Sequence, residues 1–378
     1  MAHLLLIQNQ LKNKTHFCSM ININFMKKYI FIAGFICCSF NSKAQDIGQI
    51  IAGSLTDANK YATDYFRPFA EGEIHNLSRG WYSTARTHKF LGFDISINGQ
   101  FAIIPKEKES FIFNNADYSS MKLSGTASSA ALPTLMGGTS SQVINVNSTV
   151  NGQPVSTSFA APKGIGEDLK KNISFLPVST PLPVVQIGLG LIKNTDVKLR
   201  YFPKSGAGGD LEIGVFGLAV QHEFSNYLPF IKKVPFLHLS ALAAYSKIDA
   251  SIKPTFNTGS SVQSSNSVAG YNITAFTLQG IASVKFSLLE LYTSIGYASG
   301  TSKIKLAGDY TITYNTGLTP PNDKSTTTQK DPISLEYKGS GLTNTWGARL
   351  NLTILKVYAD YTFAKYNTVG LGIAIAVR

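Results

Sequence analysis

The chain of 378 residues carries 34 Lys and Arg against 22 Asp and Glu, a formal charge of +12, with 44% hydrophobic, 11% aromatic and only 15% charged residues. The apolar content excludes a disordered chain, and three Cys clustered at one end exclude a disulfide scaffold. A charged fraction well under the roughly 25% usual for soluble domains, beside 17 Tyr, 23 Phe and 32 Gly, suits a sheet protein that faces something other than water.

Residues 26–45, MKKYIFIAGFICCSFNSKAQ, have the form of a secretory signal. Lys27 and Lys28 precede an apolar run, Tyr29 to Phe40, that is too short to span a bilayer as a helix, and Ser42-Lys43-Ala44 sets small residues for a cut after Ala44. A buried core helix is the competing reading. Met26 competes with Met1 as the start, with residues 1–25 as an upstream extension. A lipoprotein signal is disfavoured, because no small residue stands just before Cys37 or Cys38. Removing residues 1–44 takes away Cys18, Cys37 and Cys38, and with them thiolate metal sites and cysteine nucleophiles. It also removes Lys12, Lys14, Lys27, Lys28 and Lys43 and no acid, so the charge falls from +12 to +7. The remaining Lys and Arg are scattered, without a basic run interleaved with aromatics, so nucleic acid is not an expected partner.

Segment 45–88 differs from the rest of the chain. Ile47, Ile50, Ile51, Leu55, Ala58, Ala62, Tyr65, Phe66 and Phe69 recur at helical spacing, and Pro68 is expected to limit the helix. Such a helix ahead of the first strand would plug a lumen, lie along a membrane surface or form a periplasmic handle.

From residue 89 the period becomes two. Phe93, Ile95, Ile97, Phe101 and Ile103 oppose Asp94, Ser96, Asn98, Gln100 and Ala102 over eleven residues, against about 5–6 in a soluble strand and about 9–11 in a tilted strand crossing hydrocarbon. The same alternation appears at Val185–Leu191, Val197–Tyr201, Leu237–Tyr245, Phe276–Phe286, Leu289–Tyr297, Trp346–Ile354, Val357–Phe363 and Val369–Val377. Leu211 to Phe224 begins this way and loses parity near Gly217, which reads as a bulge or bend.

Connections at 193–196, 287–288 and 355–356 are tight. Those at 105–183, 204–210, 251–270 and 302–342 are long and polar. Short turns alternate with long loops, apart from Lys365 to Thr368, which is short where a long loop is due; such alternation is the habit of a transmembrane barrel, and an open sheet edge in hydrocarbon would cost several kcal/mol per unpaired group. The expected fold is all-β: a closed antiparallel transmembrane β-barrel over 89–378, with an N-terminal helical plug or periplasmic segment over 45–88. The count gives ten strands and both ends on the periplasmic side. Twelve or fourteen stay open if the 105–183 loop hides hairpins, for which Val143 to Phe159 is the best place. The polar parity supplies the lumen-facing candidates Asp94, Lys198, Arg200, Glu212, Glu290, Arg349 and Asp360, which would pair across the lumen, line a wet path or pack inertly.

Catalytic chemistry is not indicated. His75, His88, His222 and His238 show no metal-ligand spacing, Gly206 to Gly209 lacks the Lys of a phosphate loop, and no GxSxG elbow occurs. No catalytic residue, metal or cofactor is expected, and the chain is not read as an enzyme.

The runs NLSRGWYSTARTHKFLGFDISI (76–97) and PLPVVQIGLGLIKNTDVKLRYFP (181–203) resemble an uncharacterised family of Gram-negative outer-membrane proteins similar to the long-chain fatty-acid transporter (FadL-like) barrels. The resemblance implies a barrel with an N-terminal plug and passage of hydrophobic compounds. It matches no ligand motif position by position, and the chain ends on Arg378 rather than the common terminal aromatic. The expected function is a channel or transporter for hydrophobic or amphipathic small molecules in the cell outer membrane, with outer-membrane lipid and a hydrophobic small-molecule ligand as partners. The alternative is a non-transporting surface or structural barrel whose long outer loops bind a partner.

Overall fold

A computed structural model describes residues 50–51, 53–150, 152–208, 211–253 and 262–377. The expected signal peptide, its cleavage site, the two candidate starts and Ile47 lie outside the described residues. The long helix, α1, covers Leu55–Leu77, with Ser54 Oγ as N-cap accepting from Asp57 N–H at 3.1 Å. Ile50, ahead of it, is also helical, and α1 runs on past Pro68, because the whole stretch Pro68–Leu77 is buried and tertiary packing outweighs the lost backbone bond.

Ten strands carry the frame: β1 (Phe93–Ile103), β7 (Ser179–Leu191), β8 (Thr195–Gly208), β9 (Leu211–Glu223), β10 (Leu237–Ile252), β11 (Val262–Phe286), β12 (Leu289–Asn315), β14 (Ile333–Leu352), β15 (Leu355–Phe363) and β16 (Thr368–Val377). All neighbouring pairs are antiparallel, in the order β11-β10-β9-β8-β7-β1-β16-β15-β14-β12, and β12 pairs back with β11. Every one of the ten therefore has two partners, and the sheet closes into a ring. The seam joins first to last, with Phe93 opposite Val377 and Phe101 opposite Val369.

The two ends of the ring differ. One carries the turns at 192–194, 287–288 and 353–354, the 224–236 connection, the start of β1 and the end of β16. We call it the turn end. The other, the cap end, carries the long connections. β2 (Ser110–Asn114) and β4 (Ser129–Pro133) form a two-stranded sheet there, and β3 (Met121–Leu123), β5 (Val143–Val150) and β6 (Gln153–Ala160) form a three-stranded one. Val143 to Phe159 is thus a hairpin, but it pairs with Met121–Leu123 instead of joining the ring. β13 (Lys324–Lys330) folds back on the projecting end of β12. The cap core draws on α1, the loop sheets and the strand tips, with Tyr61, Phe113, Met121, Leu132, Tyr310 and Tyr366 fully enclosed.

Side-chain chemistry inverts along the strands. On β14 the outward positions from Leu342 toward the turn end include Trp346, Leu350 and Leu352, while toward the cap they are Ser334, Glu336, Lys338 and Ser340. Inward, Thr343, Thr345 and Arg349 give way to Ile333, Leu335 and Tyr337. β12 repeats the change: Leu291, Ile295 and Tyr297 face out below, and Ser299, Thr301, Lys303 and Lys305 above. The exposed apolar residues form a belt around the turn-end half of the ring, where Ile295 is 67% and Leu278 53% exposed.

This inversion explains two departures from the sequence reading. Segments 262–270, 302–315 and 333–342, expected as loops, are strand, because their parity is apolar inward and polar outward, opposite to the belt. The register of β9 on β10 is unbroken from Glu223–Ser240 to Leu211–Ile252, so no bulge lies near Gly217, and the shifts sit in β8 instead. Gly217 makes room for the Trp81 ring, since a Cβ there would lie 3.0 Å from Trp81 Cη2. The even strand count does bring the start of β1 and the end of β16 to one end, but the segment ahead of β1 leads away, so the ends of the described chain are not together. β16 finishes at the turn end, whereas the Gly53 carbonyl accepts from Gln329 Nε2 in the cap (3.2 Å).

The lumen as candidate functional site

Residues 55–92 run through the ring from cap to turn end, and each step is fixed by bonds to the wall. Above the belt Ile74 rests where a Cβ on Gly300 would be only 2.6 Å from its Cγ2. Asn76 Nδ2 donates to the Thr180 carbonyl (2.6 Å) and to Glu73 Oε1 (3.0 Å). Glu71 binds Lys365 Nζ at 2.8 Å, accepts from Tyr366 OH at 3.1 Å and has Lys108 Nζ at 3.8 Å, so a buried carboxylate clamps α1 to the β15–β16 turn and the cap. Glu73 and Asp57 both stand on the cap side of the belt. Burial holds the Glu73 carboxyl up at about 7, against the hydrogen bonds from Thr180 and Asn76 that favour its charge. At the top of α1, burial would raise Asp57, but hydrogen bonds from the Ser120 and Ser119 hydroxyls and backbone outweigh it and keep the carboxyl below its ordinary value.

Below the helix the lumen is polar. Arg200 on β8 is completely buried. Its Nη1 donates to the Leu77 carbonyl (3.2 Å) and Nη2 to the Arg79 carbonyl (2.7 Å), so a cation satisfies the helix C-terminus where the dipole is negative. Its Nε donates to Gln186 Oε1 (3.1 Å), and its guanidinium stacks 3.6 Å from the Trp81 ring centroid. Lys198 Nζ donates to the Trp81 carbonyl (2.8 Å) and to Gln221 Oε1 (2.7 Å). Asp360 accepts from Tyr292 OH (2.8 Å). Glu290 accepts from Thr84 Oγ1 and from Ser283 Oγ (2.9 Å), and Arg349 Nη1 donates to Ser83 Oγ (3.1 Å). At the turn-end mouth His88 Nδ1 lies 2.9 Å from Asp196 Oδ2 and its Nε2 3.8 Å from Asp94 Oδ2, while Glu223 holds Thr87 N–H (3.0 Å) and His238 Nδ1 (2.7 Å).

Of the sequence candidates, Asp94, Lys198, Arg200, Glu290, Arg349 and Asp360 therefore point inward, and each touches the threaded segment directly or, for Asp360, through Tyr292, whose ring meets Tyr82. Glu212 does not belong with them. It is exposed on the outer wall, 3.7 Å from Lys204 Nζ, because residues 211, 213 and 215 turn their apolar side chains inward at the cap end. Strand parity misses Asp196, Glu223, His88 and Trp81. Asp196 shares the parity of Lys198 and Arg200, but the sequence places it in a tight turn. Among the described residues no group of three His, Cys, Asp or Glu is placed to hold a metal, and no helix is long and apolar enough to cross a membrane, which says nothing of strands.

Beside α1 at the cap end lies a cavity of about 110 Å³. Its wall is apolar, with Phe69, Leu182, Ile213, Ile248 and Ile273, and Glu73 is its buried acid.

Residues 26–377 match the model of a family described as "Family of unknown function (DUF6588)". The chain belongs to this family. No curated protein sequence matches it. Among solved structures, it is similar to Ail, the attachment invasion locus protein of Yersinia pestis, at 9% identity over 76% of this chain and 100% of that one, with a TM-score of 0.25. The translocator domain of autotransporter NalP from Neisseria meningitidis matches at 8% identity over 85% and 98%, TM-score 0.23. The outer membrane protein Omp33 of Acinetobacter baumannii matches at 10% identity over 76% and 100%, TM-score 0.19. At these values the likenesses carry no weight for function, and the DUF6588 chain must be read from its own geometry.

Proposed function

We propose that this DUF6588 protein is an outer-membrane β-barrel, closed at rest by its own N-terminal segment, that admits small hydrophobic or amphipathic molecules from its cap end. The observation that carries the membrane reading is the belt: ten paired strands present contiguous apolar side chains outward while charged and amide groups line the inside, an arrangement costly in water and favourable in lipid. Outer-membrane lipid is the partner of that belt, and export through the leader at 26–45 delivers the chain to it. The choice of cargo is supported by the apolar cavity beside α1, whose size suits a single-ring or short-chain molecule. The likeness to fatty-acid transporter barrels is part of the same proposal. Passage requires α1 to shift, because residues 55–92 occupy the lumen.

The first test is fractionation with a heat-modifiability gel. The protein is expected in the outer-membrane fraction and to migrate differently before and after boiling, whereas recovery in the soluble fraction ends the reading. For cargo, Ile248→Trp fills the cavity and is expected to slow uptake of aromatic hydrocarbons and fatty acids by a deletion strain, and unchanged uptake counts against this substrate class. The packed cap favours a second reading, a non-transporting surface barrel that binds a partner through the 105–178 region. Removing that region would then abolish binding and leave uptake as it was.

A further inference from the structure

We propose that residues 78–92 cross the membrane once inside the protein's own lumen, so that the N-terminus of α1 stands at the cell surface while β1 begins in the periplasm. This rests on the outer-membrane reading above, with the long connections outward. The contacts rise in order. Thr87 and His88 bond Glu223 and Asp196 beside the turn end. Tyr82 reaches Ser294, and Trp81 lies on Gly217. Asn76 meets Thr180, the Tyr65 carbonyl accepts from Leu135 N–H in the cap (2.8 Å), and Asn59 Nδ2 donates to the Pro332 carbonyl (2.8 Å). Residues 78–92 carry the thread through the height of the belt. Extended chain of that length reaches about 50 Å at roughly 3.3–3.6 Å per residue, ample for a hydrocarbon thickness of about 30 Å. Both ends are anchored, by the four hydrogen bonds to Asp57 above and the His88–Asp196 pair below.

The filled lumen leaves no second route. An eight-stranded ring is just wide enough for its own side chains, and this ten-stranded one already holds one stretch of chain with Trp81, Tyr82, Arg200 and Tyr292 packed in it. The barrel thus has its two described ends on opposite sides, an odd total of crossings made from ten strands and one internal thread.

The sequence after Cys38 holds no cysteine, so single thiols report position directly. Lys60→Cys lies near the top of α1 with 43% of its side chain exposed, Thr126→Cys marks the exposed cap, and Lys233→Cys marks the turn end. Full-length variants in the outer membrane of intact cells are treated with a membrane-impermeant maleimide. Lys60→Cys and Thr126→Cys are expected to label on intact cells, and Lys233→Cys only after the outer membrane is permeabilised. If Thr126→Cys labels and Lys60→Cys does so only after permeabilisation, the thread is overturned and the barrel reading stands. If Thr126→Cys and Lys233→Cys label alike, the membrane reading fails and takes the inference with it. Leu55→Cys, 41% exposed, repeats the measurement should Lys60→Cys lose its heat-modifiable band.

Discussion

The turn-end half and the cap-end half of the same strands obey one period and opposite chemistry. Below Leu342 and Tyr297 the outward positions are apolar and the inward ones polar, and above them the assignment is exchanged without any break in the β12–β14 register. Strand pairing therefore fixes which side chains share a face, and the medium outside decides what they are. On the outer-membrane reading proposed above, the lower half meets lipid outside and a polar thread inside, and the upper half water outside and an apolar helix inside.

The comparison can be broken at its packed points first. Tyr61→Ala empties the fully enclosed centre of the cap core, and Trp81→Ala the middle of the lumen; each is expected to cost about 3–5 kcal/mol. Tyr61→Ala should expose the cap to protease while the heat-modifiable band persists. Trp81→Ala also uncovers Arg200, and ion conductance in planar bilayers should appear where the parent shows none. Next comes the boundary. Leu278→Arg in the belt is expected to destabilise the lipid-embedded protein by about 2–4 kcal/mol in urea titrations from vesicles, while Ser340→Arg, outward above the boundary, should change it by less than about 0.5 kcal/mol. Equal effects would mean that the two halves face the same solvent.

A third measurement uses pH. The folded pKa of Glu73, about 7, stands above the ordinary carboxylate value, so its contribution to stability is intact below that ordinary value and lost as pH rises through 7. Thermal melts should show Glu73→Gln gaining on the parent between pH 5 and pH 8 by about 2 kcal/mol, with a pH-independent difference ruling out this carboxyl as the cause. The smallest effect is at the helix start, where Ser54→Ala removes the N-cap and should lower cap stability by about 1 kcal/mol, read by hydrogen exchange over 55–60.

The ten ring strands are legible in sequence because their belt portions keep a period of two, apolar on one face and polar on the other. Their upper extensions are not, since Ser334–Ser340 and Ser299–Lys305 put polar residues on the face where a lipid-facing strand carries apolar ones, and so look like loops. Lys198 and Arg200 can be placed inward from parity alone, but their partners cannot: Trp81, Leu77 and Arg79 lie over a hundred residues away in a segment with no strand period. Glu212 is misplaced by the same exchange that hides the strand tips. Gly217 looks like a kink in one strand, yet its role is set by an indole from another part of the chain.

The β1–β16 seam has a consequence for assembly. The first strand of the wall continues directly from the thread, and its outer edge waits for the final strand, which brings Val377 to Phe93 across nearly the whole ring. Pairings between such distant stretches are slow to form, which leaves time for the thread to be laid down before the wall is zipped shut. For the outer-membrane barrel proposed above, what insertion would then deliver to the bilayer is a cored intermediate still open along one seam.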